Sequence, residues 1–408
     1  MKPTPKPNRS LKTEIKFMIA AIPVLIFTGI LPNNLYGQDV SDKFLRVGHY
    51  FTEEEALQQL NKFMEGYPTV QLWQEKAGLI KEGILKGADL YPLPEKTSLN
   101  AIRTNKREYD GYIVENVAFE SLPGVFVTGS LYSPTAHPGK IPGILSFHGH
   151  WNSSDDYGRF REDAQNRCAS LARMGAMVLS IDMVGYGETR EWGWEHNYPG
   201  VLKLQLWNSI RAVDFLLGLE NIDSRRVAAT GASGGATQVF LLTAVDERIT
   251  VSVPVVQVSA HFYGGCVCES GMPIHASIHN ETNNVEIAAM AAPRSMLLVS
   301  NGGDWTKNNP EVEYPYIRDI YKLFGAEKEV ANVHFPDEGH GFEFSKRKAV
   351  YPFLAKHLKL DIYSIIDQYG NISEEGIVIE PYEELIVFSE KNPPPDHAIK
   401  SNDLVVWE

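Results

Sequence analysis

The stretch Val227-Ala-Ala-Thr-Gly-Ala-Ser-Gly-Gly-Ala-Thr-Gln238 decides how this chain is read. A short β-type run ends at Gly231-Ala-Ser-Gly-Gly235 and passes directly into a helix-forming segment. In a G-x-S-x-G pattern between strand and helix, the serine occupies a sharp, strained turn. Side chains at Gly231 or Gly235 would meet neighbouring backbone there. Such a turn exposes the Ser233 hydroxyl at a helix N-terminus, where backbone N–H groups and the helix dipole favour developing negative charge. An ordinary Gly/Ser turn would also fit these five residues taken alone. The remainder of the chain therefore has to supply a base, an acid and an oxyanion donor.

On the N-terminal side, residues 112–120 and 125–132 alternate with period two around Leu122-Pro-Gly124, a hairpin signal. Residues 144–147 form a buried strand that runs into His148-Gly-His-Trp151. A helix over 161–174 and a strand over 176–181 follow, then a long helix over 201–219 with apolar residues at Leu202, Leu206, Ile210, Val213 and Leu217. Beyond the serine, strands are expected over 250–258, 295–300 and 330–335, with helices over 314–324 and 346–358. Strands alternating with helices of this length predict an α/β fold, its central sheet mostly parallel with helices on both faces.

The chain divides into four parts on this reading. Residues 1–37 place Lys2, Lys6, Arg9, Lys12 and Lys16 before the apolar run 17–31, then Leu35-Tyr-Gly37. The run is short and holds a proline, so a cleaved secretory signal peptide fits better than a retained membrane anchor. Residues 38–110 form an N-terminal helical preface, in which Thr52 and Glu55 make a capping box. Residues 111–358 are the catalytic domain, interrupted by a lid insertion over 260–286. Residues 359–408 are a C-terminal extension with no readable role.

The 408 residues are 43% hydrophobic and 22% charged, ordinary for a globular protein with a large core. The net charge is −13, and residues 1–37 hold five of the 38 Lys+Arg but one of the 51 Asp+Glu. Once they are removed the remainder is more acidic still, which excludes nucleic acid as the main ligand. Three cysteines do not make a disulfide framework. Cys266-Val-Cys268 lacks the second pair a zinc site requires, so packed free thiols are expected, with neither metal nor cofactor.

Ligands of a parallel α/β sheet lie beyond the carboxyl ends of its strands. Residues immediately after strands include His148-Gly-His150, Ser233, Asn301-Gly-Gly-Asp304 and Glu338-Gly-His-Gly-Phe342. A serine hydroxyl attacks only if a neighbour takes its proton, and His340 is the candidate base. Asp304 would accept the other ring N–H and fix the tautomer; Asp337 and Glu338 compete for that role. The chain order Ser…Asp…His is that of a triad on this type of sheet. The N–H groups of Gly234 and His150 are the oxyanion donors, and His148 supports their loop. Trp151, Trp192, Trp194 and Trp305 fall in the same loops, either as a stacking wall for substrate or as cover for the sheet end. His275 and His279 are four residues apart, read as lid packing rather than metal ligands. Arg211 and Asp214 are read as a helix-surface pair.

Several motifs carry a family resemblance: Glu120-Ser-Leu-Pro-Gly124, Gly129-Ser-Leu-Tyr132, His148-Gly-His150, Gly185-Tyr-Gly187, Arg211-Ala-Val-Asp-Phe215, Gly231-Ala-Ser-Gly-Gly235, Asp246-Glu-Arg248 and the His340 motif. From about 112 to 358 the chain resembles the α/β-hydrolase superfamily, and within it the acetyl xylan esterase and dienelactone-hydrolase-like branch of secreted bacterial enzymes. The resemblance implies an α/β-hydrolase fold and hydrolysis of acyl esters on carbohydrate, without a metal, by a secreted or periplasmic enzyme with no stable membrane insertion. Dienelactone hydrolases proper carry cysteine at the elbow, and Ser233 argues against that activity. The alternatives are a glucuronoyl esterase, with Arg159, Arg161 or Arg190 facing a sugar acid, a peptidase, or a silent glycan-binding protein.

Overall fold

Alternating and continuously apolar runs pair into one nine-stranded sheet in the computed structural model of the chain, which describes residues 43–137, 139–153, 156–277 and 280–407. The strands are β1 (Ile102–Tyr109), β2 (Tyr112–Leu122), β3 (Val125–Pro134), β4 (Ile141–Phe147), β5 (Met177–Ile181), β6 (Ile222–Ala232), β7 (Val251–Val255), β8 (Ser295–Asn301) and β9 (Val330–Phe335). Across the sheet they run β9-β8-β7-β6-β4-β5-β3-β2-β1. The first three form an antiparallel meander, and β3 is antiparallel to β5. Every pairing from β5 across to β9 is parallel, the arrangement expected. Residues 1–37, where the sequence predicts a signal peptide, lie outside the described residues. Among the described residues, no helix is long and apolar enough to cross a membrane.

The helices are α1 (Glu53–Gly66), α2 (Val70–Gly87), α3 (Glu162–Arg173), α4 (Val201–Gly218), α5 (Gly234–Val245), α6 (Val267–Ser270), α7 (Asn284–Ala289), α8 (Glu313–Leu323), α9 (Phe344–Leu358) and the single turn α10 (Tyr382–Leu385). Strand alternation sends Leu145, Phe147 and Ala229 into one core with Trp73, Trp207 and Phe240 from α2, α4 and α5. Ile144, Ala228 and Val253 enter the opposite core with Leu171 of α3 and Leu354 of α9. Each large apolar side chain buried in this way contributes roughly 1.5–3 kcal/mol. Helix α5, which follows the serine, is buried along nearly its whole length, so it has no polar face to orient it.

Thr52 and Glu55 close the capping box at the start of α1. The preface is not wholly helical, however. β1 lies within 38–110 and forms the sheet edge, its burial alternating along Ile102-Arg-Thr-Asn-Lys-Arg-Glu-Tyr109. Charged side chains discourage further strand pairing at such an edge, and they also mask the strand in the sequence.

The C-terminal extension is a strap over the β1–β3 end of the molecule. Arg107 pairs with Glu380 at 2.6 Å and Arg347 with Glu374 at 2.5 Å. Asn116 Nδ2 donates to the carbonyls of Glu384 and Ile386, and the Ile399 N–H donates to Gly124 O at 2.8 Å. The Arg211–Asp214 pair is half-buried rather than superficial: Arg211 is 3% exposed and also donates to Thr97 O, while the partly buried Asp214 receives Lys96 and Arg248.

Candidate active site

Ser233 lies between the end of β6 and the start of α5, with φ 57° and ψ −129°, a left-handed conformation that costs a non-glycine residue on the order of 1–3 kcal/mol. Neighbouring backbone holds it there. The Ser233 N–H donates to Val255 O at 3.1 Å, and its carbonyl accepts from the Ala236 and Thr237 N–H groups. A Cβ at Gly235 would lie 2.6 Å from His148 O, and one at Gly231 would lie 2.8 Å from Phe147 O. Both glycines are therefore required by the close passage of the β4 end beneath the turn.

The loops after β8 and β9 bring Asp304 and His340 together: His340 Nδ1–H donates to Asp304 Oδ2 at 2.6 Å. The Asp304 side chain is 3% exposed and also accepts from Asn301 Nδ2 (3.0 Å), the Thr306 N–H (2.7 Å) and Thr306 Oγ1 (2.6 Å). Burial pushes its carboxyl up, but the hydrogen bonds from His340 and Thr306 outweigh it, and the group sits below the ordinary aspartate range. A neutral His340 donating through Nδ1 leaves Nε2 as its proton acceptor. Glu338 is engaged elsewhere, by Ser345 and Lys346 at 2.7 and 3.0 Å.

His148 is buried and driven down to about 3 chiefly by that burial, hence neutral. Its Nε2 accepts the Met183 N–H at 3.0 Å, and Nδ1 donates to Gly149 O at 2.8 Å. The β4 and β5 loops are thereby tied together. Gly234 opens α5, so the helix ladder supplies no acceptor for its N–H. The His150 ring lies directly against Gly234, where a Cβ would come 2.1 Å from His150 Cε1. Around that ring gather His196, Cys266 and Cys268. Hydrogen bonding with Cys268, then with His150 and His196, holds the Cys266 thiol well below its usual range, whereas burial pushes Cys268 up. The Cys-x-Cys spacing was visible in the sequence; that two histidines from other loops complete the group was not.

The four tryptophans separate. Trp151 and Trp305 flank His340, with ring centroids 5.6 and 4.6 Å from it, and Trp305 stacks on Phe262 of the lid at 4.0 Å. Trp192 and Trp194 lie against the C-terminal strap instead of beside His340. Trp192 packs on Phe388, and Trp194, 5% exposed, donates its indole N–H to Ile399 O. The three arginines separate as well. Arg159 is fully buried between Asp182 and Glu188. Arg190 lies over Tyr157, and Arg161 lies over Trp151 at 5.1 Å while pairing with Asp163. His275 is buried and bonded to Asn284 Oδ1 at 2.7 Å, in keeping with lid packing; His279 lies outside the described residues.

A cleft of about 1130 Å³ opens over Asp304 and His340. Residues 302–305 and Lys307 line one side, His261 of the lid another, and preface residues 49–55 a third. This contribution of the preface was missed in the sequence; its one local sign is the aromatic cluster directly before the capping box. His49 pairs with Phe262 by a β-bridge and stacks on His261, so preface and lid meet at the rim.

No protein-family model and no curated protein matches the chain. Among solved structures, methylesterase BT1017 is 37% identical, with a TM-score of 0.79 over 86% of this chain and 78% of that one. A glucuronoyl esterase from Solibacter usitatus is 16% identical (TM-score 0.52, 71% and 94% covered). A CE15 glucuronoyl esterase from Teredinibacter turnerae is 12% identical (TM-score 0.52, 71% and 85% covered). At those two identities the likeness is one of fold.

Proposed function

Because the chain belongs to the α/β-hydrolase esterases, in the family of a methylesterase with which it is 37% identical, we propose that it is an exported serine esterase acting on methyl esters of sugar acids in carbohydrate. Ser233 attacks the ester carbonyl as His340 Nε2 takes its proton. Asp304 holds the Nδ1–H and stabilises the imidazolium. The N–H groups of Gly234 and His150 receive the oxyanion, each worth roughly a hundred- to a thousandfold in rate. His340 returns the proton to the departing alcohol, leaving an acyl-enzyme. Water deprotonated by His340 then releases the acid. Trp151 and Trp305 beside His340 supply faces on which a sugar ring can stack, and Arg161 over Trp151 sets a cation at the rim.

The observation that carries the reading is the short His340–Asp304 hydrogen bond at the same sheet end as the strained Ser233. The acetyl xylan esterase motifs in the sequence favour a second reading, removal of acetyl groups. One experiment separates them: methanol release from a methyl-esterified polyuronate, measured beside acetate release from acetylated xylan, with wild type and Ser233→Ala. Methanol release abolished by the substitution supports the proposal. Acetate release alone transfers the activity to the second reading, and equal activity of the two proteins refutes Ser233 as nucleophile.

A further inference from the structure

We propose that Cys266, Cys268, His150 and His196 form a four-ligand binding site for a zinc-type metal ion that pins the lid to the loop behind the nucleophile. The four come from three loops far apart in sequence: His150 after β4, His196 between β5 and α4, and both cysteines from the lid. Their ligand atoms all lie within 4.8 Å of one another. Cys266 Sγ is 3.3 Å from Cys268 Sγ, 3.4 Å from His150 Nε2 and 3.4 Å from His196 Nε2; Cys268 Sγ is 3.0 Å from His150 Nε2. Tetrahedral zinc, with bonds of about 2.3 Å to sulfur and about 2.0–2.1 Å to nitrogen, spaces its ligands about 3.8 Å (S···S) and about 3.5 Å (S···N) apart. These four separations need to lengthen by only a few tenths of an ångström to take the ion.

The groups behind the ligands point the same way. A metal-bound histidine commonly donates its other ring N–H to a carbonyl or carboxylate, which fixes the tautomer. His196 Nδ1–H donates to Val184 O at 2.7 Å, which turns the Nε2 lone pair toward Cys266. His150 Nδ1 lies 4.0 Å from Glu269 Oε2. That carboxylate is 3% exposed and is itself fixed by Thr237, Gln257 and the Gly265 N–H at 2.7–3.0 Å. Two thiols and two imidazoles are the donor set zinc selects over magnesium or calcium. Four protein ligands leave no position for substrate, so the ion is structural rather than catalytic. It joins three loops, one of which carries His150 against Gly234. The further effect on the oxyanion donors rests on the esterase reading; metal binding itself does not.

The test is metal content by elemental mass spectrometry on protein purified reduced and loaded with zinc, comparing wild type, Ser233→Ala, His196→Gln and the double variant Cys266→Ser/Cys268→Ser. One equivalent in wild type and in Ser233→Ala, with loss in the double variant and weakened retention in His196→Gln, is expected. As a measurement that needs no altered ligand, stripped wild type titrated with cobalt(II) should develop the intense thiolate-to-metal absorption of a tetrahedral site. Zinc-free wild type after loading, or cobalt bound without thiolate absorption, overturns the proposal. So does full retention of metal by the double variant, or a Cys266–Cys268 disulfide with no zinc taken up after reduction. Since Ser233→Ala is expected to keep its metal while losing activity, failure of the esterase reading and failure of this one are told apart.

Discussion

Replacing Asp304 by asparagine tests the candidate triad most directly, because every acceptor position of that carboxylate is in use. Oδ1 receives the Thr306 N–H and hydroxyl, and Oδ2 receives His340 Nδ1–H and Asn301 Nδ2. Asparagine has one acceptor oxygen and a two-proton donor. The Thr306 N–H is fixed backbone, so the amide oxygen takes the Oδ1 side and the amide NH₂ faces His340. The ring must then offer a bare Nδ1 and carry its proton on Nε2, where it cannot accept the proton of Ser233. A wrong tautomer of this kind costs about 10⁴-fold in kcat in the worked serine-protease case, or roughly 5.5 kcal/mol of transition-state stabilisation. Asn301 Nδ2 keeps its bond to Gly339 O but loses Asp304, a stability cost of about 1–3 kcal/mol for a buried donor left unpaired. The assay is kcat and KM on an aryl ester, with urea denaturation of the same samples. Asp304→Asn is expected to lose kcat with little change in KM while remaining folded. A variant within tenfold of wild type, or a larger loss in Glu338→Gln, refutes the assignment.

Gly235→Ala drives a methyl group into His148 O and Phe147 O, so a loss of about 1–3 kcal/mol is expected by denaturant unfolding. Gly218→Ala, where a Cβ meets nothing within 4 Å, is expected to be neutral, and equal effects would refute the steric account. Burial pushes Glu313, which accepts the Ala260 N–H at 3.1 Å, from 4.5 up to about 7. An acid raised in the folded state holds a proton the unfolded chain gives up, so its contribution to stability falls as pH climbs from 4.5 to about 7 and levels off above. At about 1.4 kcal/mol per unit the loss is on the order of 3 kcal/mol. Glu313→Gln should flatten the stability–pH curve by that order across this window, and an unchanged slope would count against it.

Much of the fold was legible because the features that set it are local. The elbow is announced by glycines that sterics demand, the β2–β3 hairpin by Leu122-Pro-Gly124, and α1 by Thr52 and Glu55. β1 was not legible, since an edge strand shielded by Arg103, Lys106 and Arg107 lacks the apolar alternation that marks a strand. At the site, Ser233, Asp304 and His340 each follow a strand, and strand ends can be read from sequence. Trp192 and Trp194 follow the same rule, but their packing against the strap was not legible, because the strap lies about two hundred residues away. Grouping His150 and His196 with Cys266 and Cys268 requires knowing how three loops converge, which no single window of sequence contains.

The strap also sets when the molecule can be finished. Arg159 donates to Leu385 O, and the buried Glu188 carboxylate accepts the N–H groups of Val387 and Phe388. Asn116, in the second strand of the sheet, closes its amide on Glu384 and Ile386. These groups are synthesised about two hundred residues or more before their partners. A nascent chain that has assembled the sheet still carries an incompletely solvated charge cluster and an uncovered edge, the kind of species chaperones hold. The interior near Arg159 is therefore complete only once residues 385–388 have been made and have folded back onto it.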